Sequence, residues 1–125
     1  SNRGRAIAAV SLGQQKYLSV MRYVDGVVGN SSSGIIEAPS FKIGTVNIGD
    51  RQKGRIFAKS VITCRATRAS IQQAFKKLYS RKFQSDLEKV VNPNGDGNTA
   101  ARIKKILKNT KSVAIQKKFC DIRFQ

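Results

Sequence analysis

The segment Gly29-Asn30-Ser31-Ser32-Ser33-Gly34-Ile35-Ile36-Glu37 constrains this chain more than any other stretch. It stands between the apolar run Gly26-Val27-Val28, which reads as a buried strand, and Ile35, Ile36 and Ala38, which read as the first turns of a helix over about 34–40. A strand that passes through a small-residue turn directly into a helix is the repeating unit of a parallel α/β sheet. The remaining pattern agrees. Apolar Ala6–Ser11 predicts a strand ahead of this unit, and Tyr17, Leu18, Met21 and Val24 at helical spacing predict a helix over 14–23, closed by Asp25-Gly26. Gly44–Ile48 and Val61–Cys64 predict two further strands. Thr67 is placed to cap a helix from Arg68 to about Tyr79 with Ile71, Phe75 and Leu78 on one face. Residues 80–98 read mostly as loop, and a last helix over about Thr99–Lys108 carries Ile103, Ile106 and Leu107. Four short strands alternating with helices predict a parallel, Rossmann-like α/β sheet. It resembles half of a doubly wound domain and should leave a strand edge exposed.

A chain of 125 residues with 40% hydrophobic content allows one small domain with a modest core. No apolar run approaches the roughly 20 residues of a membrane span, and the start has no signal-peptide pattern, so a cytoplasmic protein without a membrane partner is expected. The two cysteines, Cys64 and Cys120, are far apart and there is no histidine. That set matches no metal-site spacing, reads as two free thiols, and implies no metal and no other cofactor. The lack of histidine also removes the commonest general acid/base. A net charge of +17 invites a nucleic-acid reading. The basic residues are instead spread along the chain, with clusters at Lys76-Lys77, Lys104-Lys105 and Lys117-Lys118, and the aromatic residues do not interleave with them. Solvated helix faces account for most of the lysines, and no specific nucleic-acid partner is expected.

The chemistry concentrates at the serine turn. A turn entering a helix leaves backbone N–H groups unpaired, and these bind phosphate. The hydroxyls of Ser31, Ser32 and Ser33 add donors. Glu37, one turn on, would repel a phosphate in contact but can accept from both hydroxyls of a ribose just beyond. Arg51 lies in the polar loop Gly49–Arg55 after a strand, at the sheet edge where parallel α/β folds bind ligands, and an arginine can fork onto phosphate oxygens. Each feature has a plainer reading: a capped turn, a helix-end charge, a solvated loop cation. Their coincidence favours a nucleoside diphosphate. In Gly95-Asp96-Gly97-Asn98 the glycines suit positive φ, and Asp96 or Asn98 can cap the last helix.

Residues 29–41, Thr45-Val46-Asn47-Ile48-Gly49-Asp50-Arg51-Gln52-Lys53-Gly54-Arg55 and Asn92-Pro93-Asn94-Gly95-Asp96-Gly97-Asn98, with Ser11-Leu12-Gly13 and Tyr17-Leu18 upstream, resemble the hydrolysing UDP-N-acetylglucosamine 2-epimerases of the sialic-acid pathway. The resemblance covers about residues 6–108. It implies the C-terminal part of the UDP-binding Rossmann-like domain of a two-domain glycosyltransferase-B-type fold over 1–108, followed by a basic tail over 109–125. It places Ser31, Ser32 and Arg51 on the diphosphate, Glu37 on the ribose, and Leu12 and Tyr17 near the uracil. The implied partners are UDP or UDP-N-acetylglucosamine and an N-terminal domain, in an enzyme that is a homo-oligomer. The implied chemistry is anti-elimination of UDP to a 2-acetamidoglucal, then addition of water to give N-acetylmannosamine. The family's acid/base carboxylates and site histidine lie upstream of these motifs, so no catalytic residue is assigned and the chain alone is expected to be inactive. The alternatives are a non-catalytic nucleotide-sugar-binding fragment, a relative acting on another UDP-2-acetamido sugar, and a basic nucleic-acid-binding module.

Overall fold

The computed structural model describes residues 4–110. Cys120, Lys117-Lys118 and all but the first two residues of the basic tail lie outside the described residues. In chain order the elements are α1 (Gly13–Val20), β1 (Gly26–Gly29), α2 (Ser33–Ile36), a 3-10 turn (Ala38–Phe41), β2 (Gly44–Ile48), β3 (Val61–Cys64), α3 (Arg68–Leu78), α4 (Arg81–Leu87) and α5 (Thr99–Asn109). Two compact units divide the chain, one ending at Asn94 and one beginning at Gly95.

The first unit holds a three-stranded parallel sheet in the order β1-β2-β3. Val28 lies opposite Val46, and Val46 opposite Ile62. The central strand is buried from Gly44 to Asn47, and its alternation assigns one face to each covering layer. Val46 joins Ile62, Cys64, Ala74, Leu78 and Phe83 in the core beneath α3 and α4. Thr45 faces the other way, and its hydroxyl donates to the Gly34 carbonyl at 2.7 Å, which holds α2 on the opposite face. Gly44 is small by necessity: a Cβ there would sit 2.2 Å from a Leu78 methyl carbon.

The helix at Arg68 forms as expected. Thr67 is extended, and its side chain accepts from the Ser70 N–H, which satisfies one of the unpaired donors of the first turn. Leu78 is buried, while Ile71 and Phe75 are partly buried against the core. Cys64 is a free, buried thiol.

Two expectations need correction and a third needs an addition. Ala6–Ser11 is not a strand. It has no regular structure, and Ile7 and Val10 are fully exposed, because no neighbouring strand among the described residues takes up its backbone groups; there β1 pairs only with β2. Among the described residues the sheet therefore has three strands rather than four, with β1 and β3 as edges. Residues 80–98 are mostly loop, as expected, but a helix the pattern did not show, α4, lies within them. Ser80 caps α4 by accepting from the Phe83 N–H at 3.3 Å, and Phe83, Leu87 and Val90, spaced by four and three residues, all enter the core. Finally, the helix after the serine turn breaks after Ile36 into the 3-10 turn, with Pro39 buried within it.

In the second unit Gly95 and Gly97 take positive φ, 138° and 86°. Asp96 accepts from the Asn98 N–H at 3.0 Å and pairs with Arg102 at 2.5 Å. The Asn98 side chain makes no capping bond. Ile103, Ile106 and Leu107 are exposed on α5. Among the described residues no helix is long and apolar enough to cross a membrane.

Candidate functional site

Parallel strands all end at the same edge, and at this one the serine turn follows β1 while the Gly49–Arg55 loop follows β2. The turn is built for unpaired donors. The Ser32 carbonyl starts α2 by accepting from Ile35 and Ile36 N–H at 3.0 and 2.9 Å. Ser31 Oγ accepts from Ser33 N–H at 3.3 Å, so the Ser31 proton remains free to donate outward. Among the described residues the backbone N–H groups of Ser31, Ser32 and Gly34 meet no protein acceptor, and the Ser32 hydroxyl makes no hydrogen bond. Ser31 is exposed and Ser32 half-buried. A cluster of N–H and O–H donors left unpaired among the described residues is a place for an anion. With four residues, α2 has little macrodipole, so local donors rather than a helix field make the turn attractive.

The rest of the unit holds this turn still from behind. Thr45 fixes the Gly34 carbonyl. Asn92 Nδ2 donates to the Ile36 carbonyl and to Ser40 Oγ, both at 2.7 Å, and Asn94 Nδ2 donates to the Ile35 carbonyl at 3.2 Å. Lys42 Nζ donates to the Val90 carbonyl, which ties the same loop to the chain after the 3-10 turn. A Cβ on Gly34 would lie 2.6 Å from Thr45 Cγ2, so the glycine is what allows α2 to rest directly on β2.

From the front, the Arg51 loop reaches the same turn. Arg51 is exposed, with Nη1 3.5 Å from Asn30 Oδ1. Its neighbour Gln52 is 4% exposed and donates through Nε2 to the Asn30 carbonyl at 2.7 Å. Gln52 Oε1 is buried without a partner. A buried amide bonded across 22 residues anchors a loop that would otherwise be a solvated run of charges. Lys53 and Arg55 are exposed.

The structure thus brings Ser31, Ser32 and Arg51 around Asn30. Glu37 stands at the C-terminal end of α2, its N–H bonded to the Ser33 carbonyl at 2.9 Å. It is half-buried, and among the described residues its carboxylate has no ion-pair partner. Tyr17 arrives from α1, and its hydroxyl is 2.5 Å from Ser33 Oγ, so this half-buried ring touches the turn itself. Leu12 precedes α1 and is 41% exposed. Sequence reasoning missed Gln52, Asn30 and Thr45. Nothing in a polar loop separates a buried glutamine from solvated neighbours, and Thr45 shows its role only once strand and helix are packed. A cavity of about 540 Å³ opens at the same edge, lined by Gly49, Asp50, Thr63, Cys64, Arg65 and Ser70. A larger one lies elsewhere and is no part of this site.

Comparison with known proteins yields a consistent set. Residues 1–108 match the family described as UDP-N-acetylglucosamine 2-epimerase. The chain is 47% identical over 76 residues to the GDP/UDP-N,N'-diacetylbacillosamine 2-epimerase (hydrolyzing) of Campylobacter jejuni, covering 61% of this chain and 19% of that protein. It is 38% identical over 100 residues to the polysialic acid biosynthesis protein P7 of Escherichia coli, covering 80% and 26% respectively. It is 30% identical over 119 residues to the UDP-N-acetylglucosamine 2-epimerase of Neisseria meningitidis, covering 93% and 31%. The chain therefore spans between about a fifth and a third of the length of these relatives.

Proposed function

Because this chain belongs to the UDP-N-acetylglucosamine 2-epimerase family, we propose that it is the part of such an enzyme that holds the UDP moiety of a UDP-2-acetamido sugar. The observation that carries the reading is the serine turn: donors of Ser31, Ser32 and Gly34 left without acceptors, with Arg51 drawn up to the same turn through Asn30. On this reading Ser31, Ser32 and Arg51 hold the diphosphate, Glu37 accepts from the ribose hydroxyls, and Tyr17 and Leu12 lie on the uracil side. The site's contribution to the reaction is electrostatic. When the glycosidic C–O bond to UDP breaks, negative charge grows on the leaving diphosphate, and prearranged donors stabilise it more than the ground state.

The three-stranded unit fits the C-terminal part of the UDP-binding domain of a two-domain glycosyltransferase-B-type fold, with the remainder of that domain, the other domain and the acid/base groups supplied by the rest of the enzyme. Hydrolysis to the free 2-epimeric amino sugar and UDP, in the cytoplasm and by a homo-oligomer, completes the proposal. UDP-N-acetylglucosamine is the substrate favoured by the motif resemblance. A UDP-diacetamido sugar is the second reading, and the name and 47% identity of the Campylobacter jejuni relative speak for it.

Titration of the isotopically labelled chain with UDP tests the proposal. Amide shifts are expected across residues 29–37 and 50–52. Arg51→Ala should weaken UDP by about 1.5–3 kcal/mol, the value of a charge-assisted hydrogen bond, and Lys53→Ala by much less. No shift in residues 29–37 at millimolar UDP rules out the nucleotide site, and equal losses at the two positions reduce Arg51 to a contribution of net charge.

A further inference from the structure

At the opposite edge of the sheet lies a concavity of about 590 Å³ that the nucleotide reading does not use. Lys59, Lys77, Lys82 and Lys89 line it, and among the described residues Asp86 is the sole acidic group in its wall. Lys59 comes just before β3, and Lys77 comes at the end of α3, which returns from the far end of that strand. These positions set the cleft at the strands' N-terminal edge, whereas the serine turn and Arg51 follow the C-terminal ends. Its apolar wall is made by Phe83, Leu87 and Val90, which belong to the core and cannot swing away.

The lysines are uncompensated. Among the described residues the one ion pair is Arg102 with Asp96, so Asp86 bridges to none of the four. Lys77 Nζ lies 6.0 Å from the Phe83 ring centroid, the outer limit of a cation–π contact. Lys82 sits in the first turn of α4 beside Arg81, where a cation is opposed by the helix dipole. Four ammonium groups around one concave, partly apolar wall raise one another's energy, and such walls concentrate the field in the cavity.

We propose that this lysine cleft is a second anion site, separate from the serine turn, and that it takes a compact polyphosphate chain with three or more negative charges. The volume falls within the range of about 300–1,000 Å³ typical of small-ligand sites. Among the described residues no arginine lines the cleft, so no planar fork imposes a bidentate geometry on the ligand and charge alone does the holding. Lysine ammonium groups are point charges with rotatable donors, suited to the tetrahedral, dispersed oxygens of a phosphate chain. The site stands independently of the UDP reading.

The labelled 125-residue chain is titrated with sodium tripolyphosphate at roughly 50 mM salt, where screening is moderate. Saturable shifts are expected at Lys59 and across 77–90. The triple variant K59Q/K82Q/K89Q should weaken binding about tenfold or more, while K104Q/K105Q/K108Q, which removes the same charge from α5, should change it less than about twofold. D86N should tighten it about two- to threefold by removing the opposing carboxylate. The lysines are exposed, so the fold should survive. If the triple variant did not fold, the shift map and D86N decide on otherwise native chain. A nucleoside triphosphate run alongside identifies the source: equal affinity means that the free chain suffices, and tighter binding points to the nucleotide. Equal losses in the two triples, shifts confined to 29–37, or a short single-stranded oligonucleotide that takes over the cleft at lower phosphate concentration would each overturn the proposal.

Discussion

Glu37 and Asp96 are both carboxylates at helix ends, and their surroundings set them to different work. Glu37 ends α2, with no cation paired to it among the described residues, which leaves its oxygens available as acceptors. If it holds ribose hydroxyls, Glu37→Gln should weaken UDP about tenfold, since a neutral amide retains only part of two charge-assisted bonds. Inorganic pyrophosphate, which has no ribose, should be unaffected. Calorimetry with both ligands separates this from a simple helix-end charge, whose removal would shift both ligands together toward slightly tighter binding. Asp96 is already engaged. The Asn98 backbone N–H, the Asn98 side chain and the Arg102 guanidinium hold its carboxyl below the usual value. A depressed folded-state pKa contributes stability above the unfolded value and loses it as pH falls through the folded one. The first turn of α5 should therefore loosen below about pH 4, seen as a step in the Asn98 amide shift. Asp96→Asn should remove that step, and a step of equal size in the variant would refute the assignment. The serines, Glu37 and Arg51 could be singled out in the sequence as residue types next to a strand-to-helix turn. Gln52 was not, because burial is invisible in a polar loop.

At the scale of elements, the feature that matters is how a four-residue helix is kept in place. An isolated single turn is not stable in water, so α2 exists because β2, Thr45, Asn92 and Asn94 hold it. Gly34→Ala tests this. The added methyl would lie 2.6 Å from Thr45 Cγ2, and a β-branched neighbour cannot move aside by a rotamer change. The cost expected from overpacking is about 1–3 kcal/mol. Chemical denaturation should show it, together with weaker UDP binding as the turn shifts. Unchanged stability and affinity would mean that α2 moves freely on β2. The strands β1, β2 and β3 and helix α3 could be read from their patterns, and Thr67 marked the start of α3 correctly. Helix α4 carried the same kind of signal, Ser80 followed by Phe83, Leu87 and Val90, but seven residues rich in charge hide a helix among loop residues. The apolar segment 6–11 was read as a strand on local pattern, yet a strand exists only through its neighbour's hydrogen bonds.

At the largest scale, the first unit is a three-stranded sheet with the donor-rich turn at the C-terminal ends of its strands, and the chain has no histidine for acid/base chemistry. Mixed with UDP-N-acetylglucosamine, it should release no UDP above the level of a heat-denatured control, and release above that level would place the catalytic groups within these 125 residues. The sequence by itself determined the α/β class, the parallel order of strand, turn and helix, and the concentration of hydroxyl donors in 29–37, because each rests on local periodicity and on the chemistry of neighbouring residues. Only the tertiary structure decided that three strands pair rather than four, that Gln52 is a buried strap across to Asn30, and that Lys59, Lys77, Lys82 and Lys89 meet around one cleft. Those facts depend on pairing and packing between residues far apart in the chain, and no local pattern encodes which distant partner fills a hydrogen bond, a core position or the wall of a cavity.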